Sequence, residues 1–116
     1  MKILVLEDDS YRVTTFIEKF CNYDLYITEN AGRAIEYLEE IVFDYIFLDH
    51  DLGINNGCGA DVAAYLANNP NNTNSKSNII IHSWNLPAVE AMQNKLPHAS
   101  VIPFGSDLFF VLGLDN

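Results

Sequence analysis

Acidic residues follow two apolar runs of the chain, and a histidine stands among them after one of the two runs. Tyr45-Ile46-Phe47-Leu48 leads into Asp49-His50-Asp51, and Ile3-Leu4-Val5-Leu6 leads into Glu7-Asp8-Asp9. Carboxylate oxygens are the ligands of hard divalent cations such as Mg²⁺, which proteins hold with one or two carboxylates together with substrate phosphate. A histidine beside such a site transfers protons near neutral pH and also suits the softer ions Mn²⁺ and Zn²⁺. The two runs therefore predict a metal site, with Asp8, Asp9 and Asp49 as ligands.

Parallel strands must position these side chains. Short apolar runs with aromatic or β-branched residues, followed by polar segments, are typical of strands that are buried on both faces. A third such run, Ile79-Ile80-Ile81, leads into His82-Ser83. In open parallel sheets, the carboxyl ends of the strands border the ligand-binding crevice. We therefore expect His82 and Ser83 to lie beside the two acidic segments.

Helical spacing of apolar residues separates the strands. We expect a first helix capped by Asp9 or Ser10, with the inward positions Val13, Phe16, Ile17 and Phe20. We expect a second helix capped by Asn30, with the inward positions Ala31, Ala34, Ile35 and Leu38. Strands are expected at 2–7, 25–28, 45–49, 79–81 and 100–102, and further helices at 60–68, from Pro87 onwards and at 106–112. The Asn-rich segment 69–77 is expected to be an exposed linking loop. This alternation predicts an α/β fold: one domain, 1–116, with a doubly wound five-stranded parallel sheet and helices on both faces.

The composition restricts the partners and the compartment. The chain has 116 residues, of which 16 are acidic and 6 basic, and a formal net charge of -10. Such a charge repels polyanions, so we expect no extended nucleic-acid surface, although a single phosphate end can bind through a divalent cation. Apolar runs stay well short of the roughly 20 residues of a membrane span, a secretory signal is lacking, and Cys21 and Cys58 are too few for a disulfide framework. We therefore expect a cytoplasmic protein that does not bind membranes.

Each candidate side chain also has a structural interpretation. Asp8-Asp9 alone is more typical of a helix cap than of a metal site, and His50 and His82 taken singly are more typical of structural histidines. Arg12, one turn into the first helix, suits either a bidentate contact with phosphate oxygens or an ordinary surface position. Ser83 suits either a hydrogen bond to phosphate or a cap on the following helix.

Three segments, 1–9, 45–49 and 79–83, resemble the receiver domains of response regulators, and the resemblance covers nearly the whole chain. It implies a flavodoxin-like fold in which Asp8, Asp9 and Asp49 bind Mg²⁺, Asp49 is phosphorylated and Ser83 contacts the phosphoryl group. Ile102, before Pro103, stands where these domains carry a lysine. Without that cation, a phosphoryl group loses its usual charge compensation.

The chain is more specifically similar to a branch of this superfamily, the cyclic-phosphate processing receiver-like domains. Its marks are Asp-Asp-x-x-Arg, Leu-Asp-His-Asp-Leu and His-Ser-x-Asn. They stand here as Asp8-Asp9-Ser10-Tyr11-Arg12, Leu48-Asp49-His50-Asp51-Leu52 and His82-Ser83-Trp84-Asn85. The resemblance implies a metal-dependent phosphoesterase that acts on RNA 2′,3′-cyclic phosphate ends or on cyclic nucleotide signals. The expected metal ligands are Asp8, Asp9, Asp49 and Asp51, the expected catalytic residues are Asp49, His50 and His82, and the expected phosphate-binding residues are Arg12, Ser83 and Asn85.

Two alternatives belong to other functional classes. The first is a stand-alone receiver that is phosphorylated on Asp49 and acts through a partner protein. The second is a module that binds a phosphorylated small molecule or docks on another protein without chemistry, using the Gly-rich loop after Asp51 and Trp84. Within the enzyme interpretation, the sequence leaves open whether Asp49 forms a covalent phosphoryl intermediate or metal-bound water attacks directly.

Overall fold

The computed structural model describes residues 1–113, and within them five parallel strands form one sheet in the order β2-β1-β3-β4-β5. The strands are β1 (Lys2–Leu6), β2 (Asp24–Thr28), β3 (Tyr45–Leu48), β4 (Asn78–Ile81) and β5 (Ser100–Val101). The predicted doubly wound, flavodoxin-like α/β sheet is therefore confirmed. Residues 114–116 of the predicted domain 1–116 lie outside the described part of the chain.

The helices are α1 (Ser10–Lys19), α2 (Ala31–Glu40), α3 (Gly59–Asn68), α4 (Leu86–Lys95) and α5 (Ser106–Val111), with a short 3₁₀ helix at Thr73–Lys76. Side chains cap three of them, because the Oδ1 atoms of Asp9, Asn30 and Asn85 accept a hydrogen bond from a backbone N–H of the first turn. The predicted caps of the first two helices are thereby confirmed. Among the helices of residues 1–113, none is both long and apolar enough to cross a lipid bilayer.

The sheet separates two apolar clusters, because successive side chains of a strand point to opposite faces. Leu4 and Leu6 of β1 pack with α2, α3 and α4 on one face, whereas Ile3 and Val5 pack with α1 and α5 on the other. The second cluster is rich in aromatic residues. Its buried aromatic members are Phe16, Phe20, Phe47 and Phe109. Helices thus cover both faces, as the alternation of strands and helices predicted.

One predicted inward position of α1 is wrong. Ile17 is 52% exposed, whereas Phe16 and Phe20 are fully buried. The rings of Phe16 and Phe20 both pack against Phe47 of β3, with ring centroids 5.4 Å apart in each pair. Because successive helical residues are rotated by about 100°, a helix that turns Phe16 and Phe20 toward the sheet carries Ile17 away from it.

The expectation of an exposed loop at 69–77 is also wrong at its centre. Asn74 is buried, and its Nδ2 donates to the carbonyl oxygens of Leu38 at 3.0 Å and Ile41 at 2.7 Å. Its Oδ1 accepts a hydrogen bond of 2.8 Å from the backbone N–H of Phe43. The last carbonyls of a helix need donors from outside the helix. Asn74 supplies them, so this segment stabilises the end of α2 and the turn into β3.

Candidate metal and phosphate site

The register of the three central strands brings three predicted segments to one edge of the sheet. Leu6 of β1 lies beside Leu48 of β3, which lies beside Ile81 of β4. The next residue of each strand is therefore part of one row, consisting of Glu7, Asp49 and His82. Backbone hydrogen bonds continue into this row, from Asp49 N–H to Leu6 O at 3.1 Å and from His82 N–H to Leu48 O at 3.0 Å.

The side chains of this row are buried and close together. Glu7, Asp49 and His82 each bring a potential ligand atom within 4.8 Å of the other two. The three are 1%, 6% and 0% exposed, respectively. They point toward the same face as Ile3 and Val5, so α1 covers them. The row thus forms the polar end of the aromatic cluster.

Glu7 and His82 form a buried hydrogen-bonded pair. The Nε2–H of His82 donates to Oε1 of Glu7 at 2.8 Å, and the backbone N–H groups of Asp8 and Asp9 donate to Oε2 at 3.1 Å each. Burial alone raises the pKa of the Glu7 carboxyl, but the hydrogen bond and charge of His82, with the Asp9 amide, bring the pKa below its ordinary value. Glu7 is therefore a carboxylate with its oxygens already engaged.

His82 is enclosed by aromatic rings. The imidazole packs on Phe16 with ring centroids 5.3 Å apart, and on Phe47 with centroids 6.4 Å apart. Its Nδ1 atom has no hydrogen-bond partner among the described residues. His82 does not line the pocket described below. The structure therefore places this predicted catalytic residue behind Glu7, where it orients that carboxylate.

Asp49 is the buried acid that faces the pocket. Its burial, followed by the negative charge of Glu7, raises the pKa of the Asp49 carboxyl from 3.8 to about 6, although His82 acts in the opposite direction. Two carboxylates in one desolvated site repel each other, and only one of them is paired with a histidine. The ionised form of Asp49 therefore favours a cation nearby.

Asp8 and Asp9 are exposed at the mouth of the same site. Burial and the charge of Glu7 raise the pKa of Asp8 above its ordinary value. Asp9 caps α1, since its Oδ1 accepts the Arg12 N–H at 3.0 Å, and it also lines the pocket. The helix-cap interpretation and the metal-site interpretation are therefore compatible at Asp9.

Asp51 also lines the pocket, and two side chains hold it there. The Nδ1–H of His50 donates to Asp51 Oδ1 at 2.9 Å, and Nδ2 of Asn85 lies 3.3 Å from Oδ1 and 3.2 Å from Oδ2. The hydrogen bond from His50 is the main reason why the pKa of Asp51 lies below its ordinary value. His50 itself contacts Asp51 without lining the pocket.

The loop between β3 and α3 returns very close to Asp49. The backbone N–H of Gly59 donates to His50 O at 2.9 Å, and Asp51 forms an isolated antiparallel bridge with Cys58. A Cβ atom on Gly59 would collide with the carbonyl oxygen of Asp49. Glycine at this position therefore allows the loop to fold back and fix Asp51 beside the site.

Arg12 of α1 places a positively charged side chain beside this acidic site. Its guanidinium carbon lies 5.2 Å from the centroid of Phe104 and 5.9 Å from that of Trp84, and Nη1 is 3.7 Å from Glu7 Oε1. Cation–π contacts and the nearby carboxylate hold the side chain in place. Ile102 packs against the aromatic cluster, so its position supplies an apolar contact where receiver domains carry a lysine.

These groups enclose a pocket of about 290 Å³. Its lining residues are Glu7, Asp8, Asp9, Arg12, Asp49, Asp51, Ser83, Trp84 and Asn85. All of the predicted site residues line it except His50 and His82. The Ser83 hydroxyl oxygen accepts the Asn85 N–H at 3.1 Å, so Ser83 supports the turn into α4 as well as lining the pocket.

The site includes Glu7 and Trp84. The sequence placed Glu7 in an acidic segment but not among the expected ligands, and it offered Trp84 only for a binding module without chemistry. The signal for Glu7 was present in the alternation of β1, because residues 3, 5 and 7 share one face of the strand and two of them are apolar core residues. Trp84 stood inside the His-Ser-x-Asn motif at the variable position. Its role as a wall of the pocket follows only from the turn between β4 and α4.

Comparisons with known proteins agree with this geometry. The sequence model of the family described as "Cyclic-phosphate processing Receiver domain" matches residues 3–98. Among curated proteins, none matches the chain.

Three solved structures illustrate the similarity in fold. The phosphorylated cyanobacterial phytochrome response regulator RcpA is 18% identical, with 97% of this chain and 86% of that chain covered and a TM-score of 0.76. The CheY-like receiver domain protein from Methanospirillum hungatei is 17% identical, with 97% and 90% covered and a TM-score of 0.74. The Mn²⁺-bound form of response regulator Rcp1 is 18% identical, with 97% and 87% covered and a TM-score of 0.73. At such identities the structures show the fold.

Proposed function

The chain belongs to the family of cyclic-phosphate processing receiver domains, and from this premise we propose that it is a metal-dependent phosphoesterase that opens a small cyclic phosphate. The observation that carries the proposal is the composition of the pocket wall. The pocket combines carboxylates that suit a cation with Arg12, Ser83 and Asn85, which suit phosphate oxygens. A small phosphorylated molecule or the terminal phosphate of a nucleic acid is the proposed substrate, and the net charge of -10 disfavours a longer polyanion.

The donor set of the pocket suits a hard divalent cation. Glu7, Asp8, Asp9, Asp49 and Asp51 all line it, together with one arginine. Glu7 is engaged by His82 and two backbone amides, which leaves Asp8, Asp9 and Asp49 to hold the ion, with Asp51 as a further carboxylate of the pocket. Oxygen-only donors favour Mg²⁺, with Mn²⁺ as a substitute. Zn²⁺ fits less well, because His82 lies behind Glu7.

When bound, such a cation polarises the phosphoryl group and lowers the pKa of water. Residues of the chain orient the substrate and transfer the proton. Arg12 and Asn85 orient phosphate oxygens at the pocket wall. His50 and Asp51, 2.9 Å apart, transfer the proton of the attacking water to the leaving oxygen, so that one P–O bond of the ring is exchanged for one P–O bond to water. Because Asp51 lines the pocket and His50 does not, the proton passes through the carboxylate.

His82 acts in this proposal as a positioning residue. It holds Glu7, and Glu7 in turn accepts the amides of Asp8 and Asp9. The pair therefore fixes the segment that carries two of the proposed ligands. The charge of Glu7 also lies beside Asp49, so a bound cation would offset the repulsion between the two carboxylates.

Incubation with Mg²⁺ or Mn²⁺ and a panel of 2′,3′- and 3′,5′-cyclic phosphates tests the proposal, with ³¹P NMR detecting the monoester product. We expect turnover that is lost on addition of EDTA and in Asp51→Asn, and retained in Glu90→Gln, which removes an exposed acid from α4. The absence of turnover with every member, when calorimetry shows that the metal is bound, would refute phosphoesterase activity on these substrates. Ligand that binds and is recovered unchanged would indicate the binding module instead.

A conventional receiver is the second candidate, and the position of Asp49 favours it. Asp49 follows β3 and lines the pocket in a fold similar to that of phosphorylated RcpA. Exposure to acetyl phosphate with Mg²⁺, followed by intact mass measurement, tests this function. A labile phosphoryl adduct that is lost in Asp49→Asn, without turnover of cyclic phosphates, would establish the receiver over the enzyme. Such a receiver would signal through a partner protein. The cytoplasmic location expected from the sequence stays a prediction.

A further inference from the structure

We propose that a second cavity, next to the phosphate pocket, binds the base of a nucleoside phosphate. The inference rests on the proposed function and specifies its substrate class as cyclic phosphates that carry a nucleobase. The cavity, called here the aromatic groove, has a volume of about 470 Å³ and is walled by Tyr11, Trp84, Phe104 and Phe109. Sites for small molecules usually measure about 300–1,000 Å³ and are lined mainly by apolar and aromatic side chains.

The aromatic groove adjoins the phosphate pocket. Trp84 lines both cavities, and the guanidinium carbon of Arg12, a residue of the pocket, lies 5.9 Å from the Trp84 centroid and 5.2 Å from the Phe104 centroid. A ligand whose phosphate contacts Arg12 therefore has its organic group directed along the Trp84 ring. A nucleobase matches this wall because every base presents a flat π-face to aromatic side chains.

The exposed rings are held in place before any ligand arrives. Trp84 is 65% exposed, yet its Nε1–H donates to the Phe104 carbonyl at 3.0 Å. The Phe104 backbone N–H in turn donates to His82 O at 3.0 Å, which ties the wall of the groove to the end of β4. A ring that is already fixed loses little conformational freedom on binding. Tyr11, which is 74% exposed, also lines the groove, from the first turn of α1.

The chemistry of the groove favours a base over an aliphatic chain. Thr15, Lys19 and Gly105 also line the groove, so polar groups lie beside its aromatic surface. They suit the polar edge of a base, whereas an alkyl chain laid over the Lys19 ammonium group would desolvate a charge. The phosphate pocket next to it supplies the charge recognition that a purely apolar ligand does not need.

The test compares two cyclic phosphates that differ only in the base. Trp84 is the single tryptophan of the chain, so its fluorescence reports directly on the groove. With Mg²⁺ present, we expect adenosine 2′,3′-cyclic monophosphate to quench this fluorescence and to bind about 5- to 150-fold more tightly than methyl riboside 2′,3′-cyclic phosphate. By calorimetry, Trp84→Ala and Tyr11→Ala should each remove most of this preference. Phe110→Ala removes an exposed ring that lies outside the groove and should leave the preference unchanged.

The outcomes separate this inference from the proposed function. Equal affinity for the two ligands, with turnover of both, would overturn the aromatic groove and leave the phosphoesterase intact. A base preference that depends on Trp84, without turnover, would support the groove and refute the enzyme. A base preference that survives in both Trp84→Ala and Tyr11→Ala would overturn the assignment of the base to this groove.

Discussion

Replacement of Asp49 by asparagine should stabilise the protein at alkaline pH in the absence of metal. Asp49 is 6% exposed, and its pKa is raised from 3.8 to about 6 by burial and by Glu7. A raised pKa means that folding favours the protonated acid, so this contribution to stability is full below about pH 3.8 and is lost as the pH rises through about 6. The complete loss corresponds to about 3 kcal/mol, because each pKa unit represents about 1.4 kcal/mol.

The change expected over an accessible pH range is smaller. Between pH 5 and pH 8, a group with these two pKa values should cost the wild-type protein about 1.4 kcal/mol in free energy of unfolding. Asparagine does not ionise, so Asp49→Asn should lack this loss. Glu7, whose pKa is lowered, contributes stability that is lost only as the pH falls through its own folded-state pKa below 4.5, and it is present in both proteins.

Urea unfolding in the presence of EDTA measures the free energy of unfolding of wild type and of Asp49→Asn at pH 5 and at pH 8. The difference between Asp49→Asn and wild type should shift by about 1.4 kcal/mol in favour of the variant on going to pH 8. Glu90→Gln, which removes one negative charge from an exposed position of α4, controls for net charge. If the difference is the same at both pH values, or if it shifts in favour of wild type, Asp49 does not carry a destabilising buried charge.

Three further perturbations follow from the same contacts. Mg²⁺ at ten times its dissociation constant should raise the free energy of unfolding of the wild-type protein by about 1.4 kcal/mol at pH 8, and that of Asp49→Asn by much less, in urea titrations at constant ionic strength. His82→Ala leaves the Glu7 carboxylate buried without its histidine and should cost roughly 3–5 kcal/mol, whereas His98→Ala, at an exposed position, should cost little in the same unfolding assay. Asn74→Ala removes donors from the Leu38 and Ile41 carbonyls and should cost roughly 1–3 kcal/mol, with the exposed Asn71→Ala as its control in thermal unfolding.

Each of these has a result that contradicts it. Equal stabilisation of wild type and Asp49→Asn by Mg²⁺ would show that the ion binds elsewhere. A loss in His82→Ala no larger than that in His98→Ala would mean that the buried pair contributes no net stability. Equal midpoints for Asn74→Ala and Asn71→Ala would show that other donors satisfy the end of α2.

The parallel sheet was predictable because its signal is local. The runs at 3–6, 45–48 and 79–81 are apolar on both faces, and each stops at a polar residue where the strand leaves the sheet. The carboxyl ends of parallel strands lie at the same edge of a sheet, so the three polar ends lie at one edge. The prediction that Asp8, Asp9 and Asp49 share a pocket therefore needed only the end points of the strands.

The roles of individual side chains depended on contacts that sequence spacing does not encode. Ile17 fits the helical spacing as well as Phe16, but the two phenylalanines that pack on Phe47 determine which side of α1 is buried. Asn74 stands in a polar segment of low complexity, and its burial depends on carbonyls more than 30 positions earlier in the chain. His82 and Ser83 are adjacent in sequence, yet only Ser83 lines the pocket, because the His82 ring hydrogen-bonds to Glu7 and packs on Phe16.

The position of the positively charged side chain, Arg12, distinguishes this site from the receiver pattern that the sequence resembles. Ile102 packs in the aromatic cluster, whereas Arg12 reaches the acidic pocket from α1 and lies against Phe104 and Trp84. A negatively charged phosphoryl group in the pocket would therefore attract a side chain of α1 that is also in contact with two aromatic rings. Any movement of Arg12 toward phosphate changes the contacts of Trp84 and Phe104, and with them the shape of the aromatic groove. If both proposals hold, binding at the phosphate pocket and binding at the groove would be coupled through this guanidinium group, and the fluorescence of Trp84 should respond to inorganic phosphate with Mg²⁺ in wild type but not in Arg12→Gln.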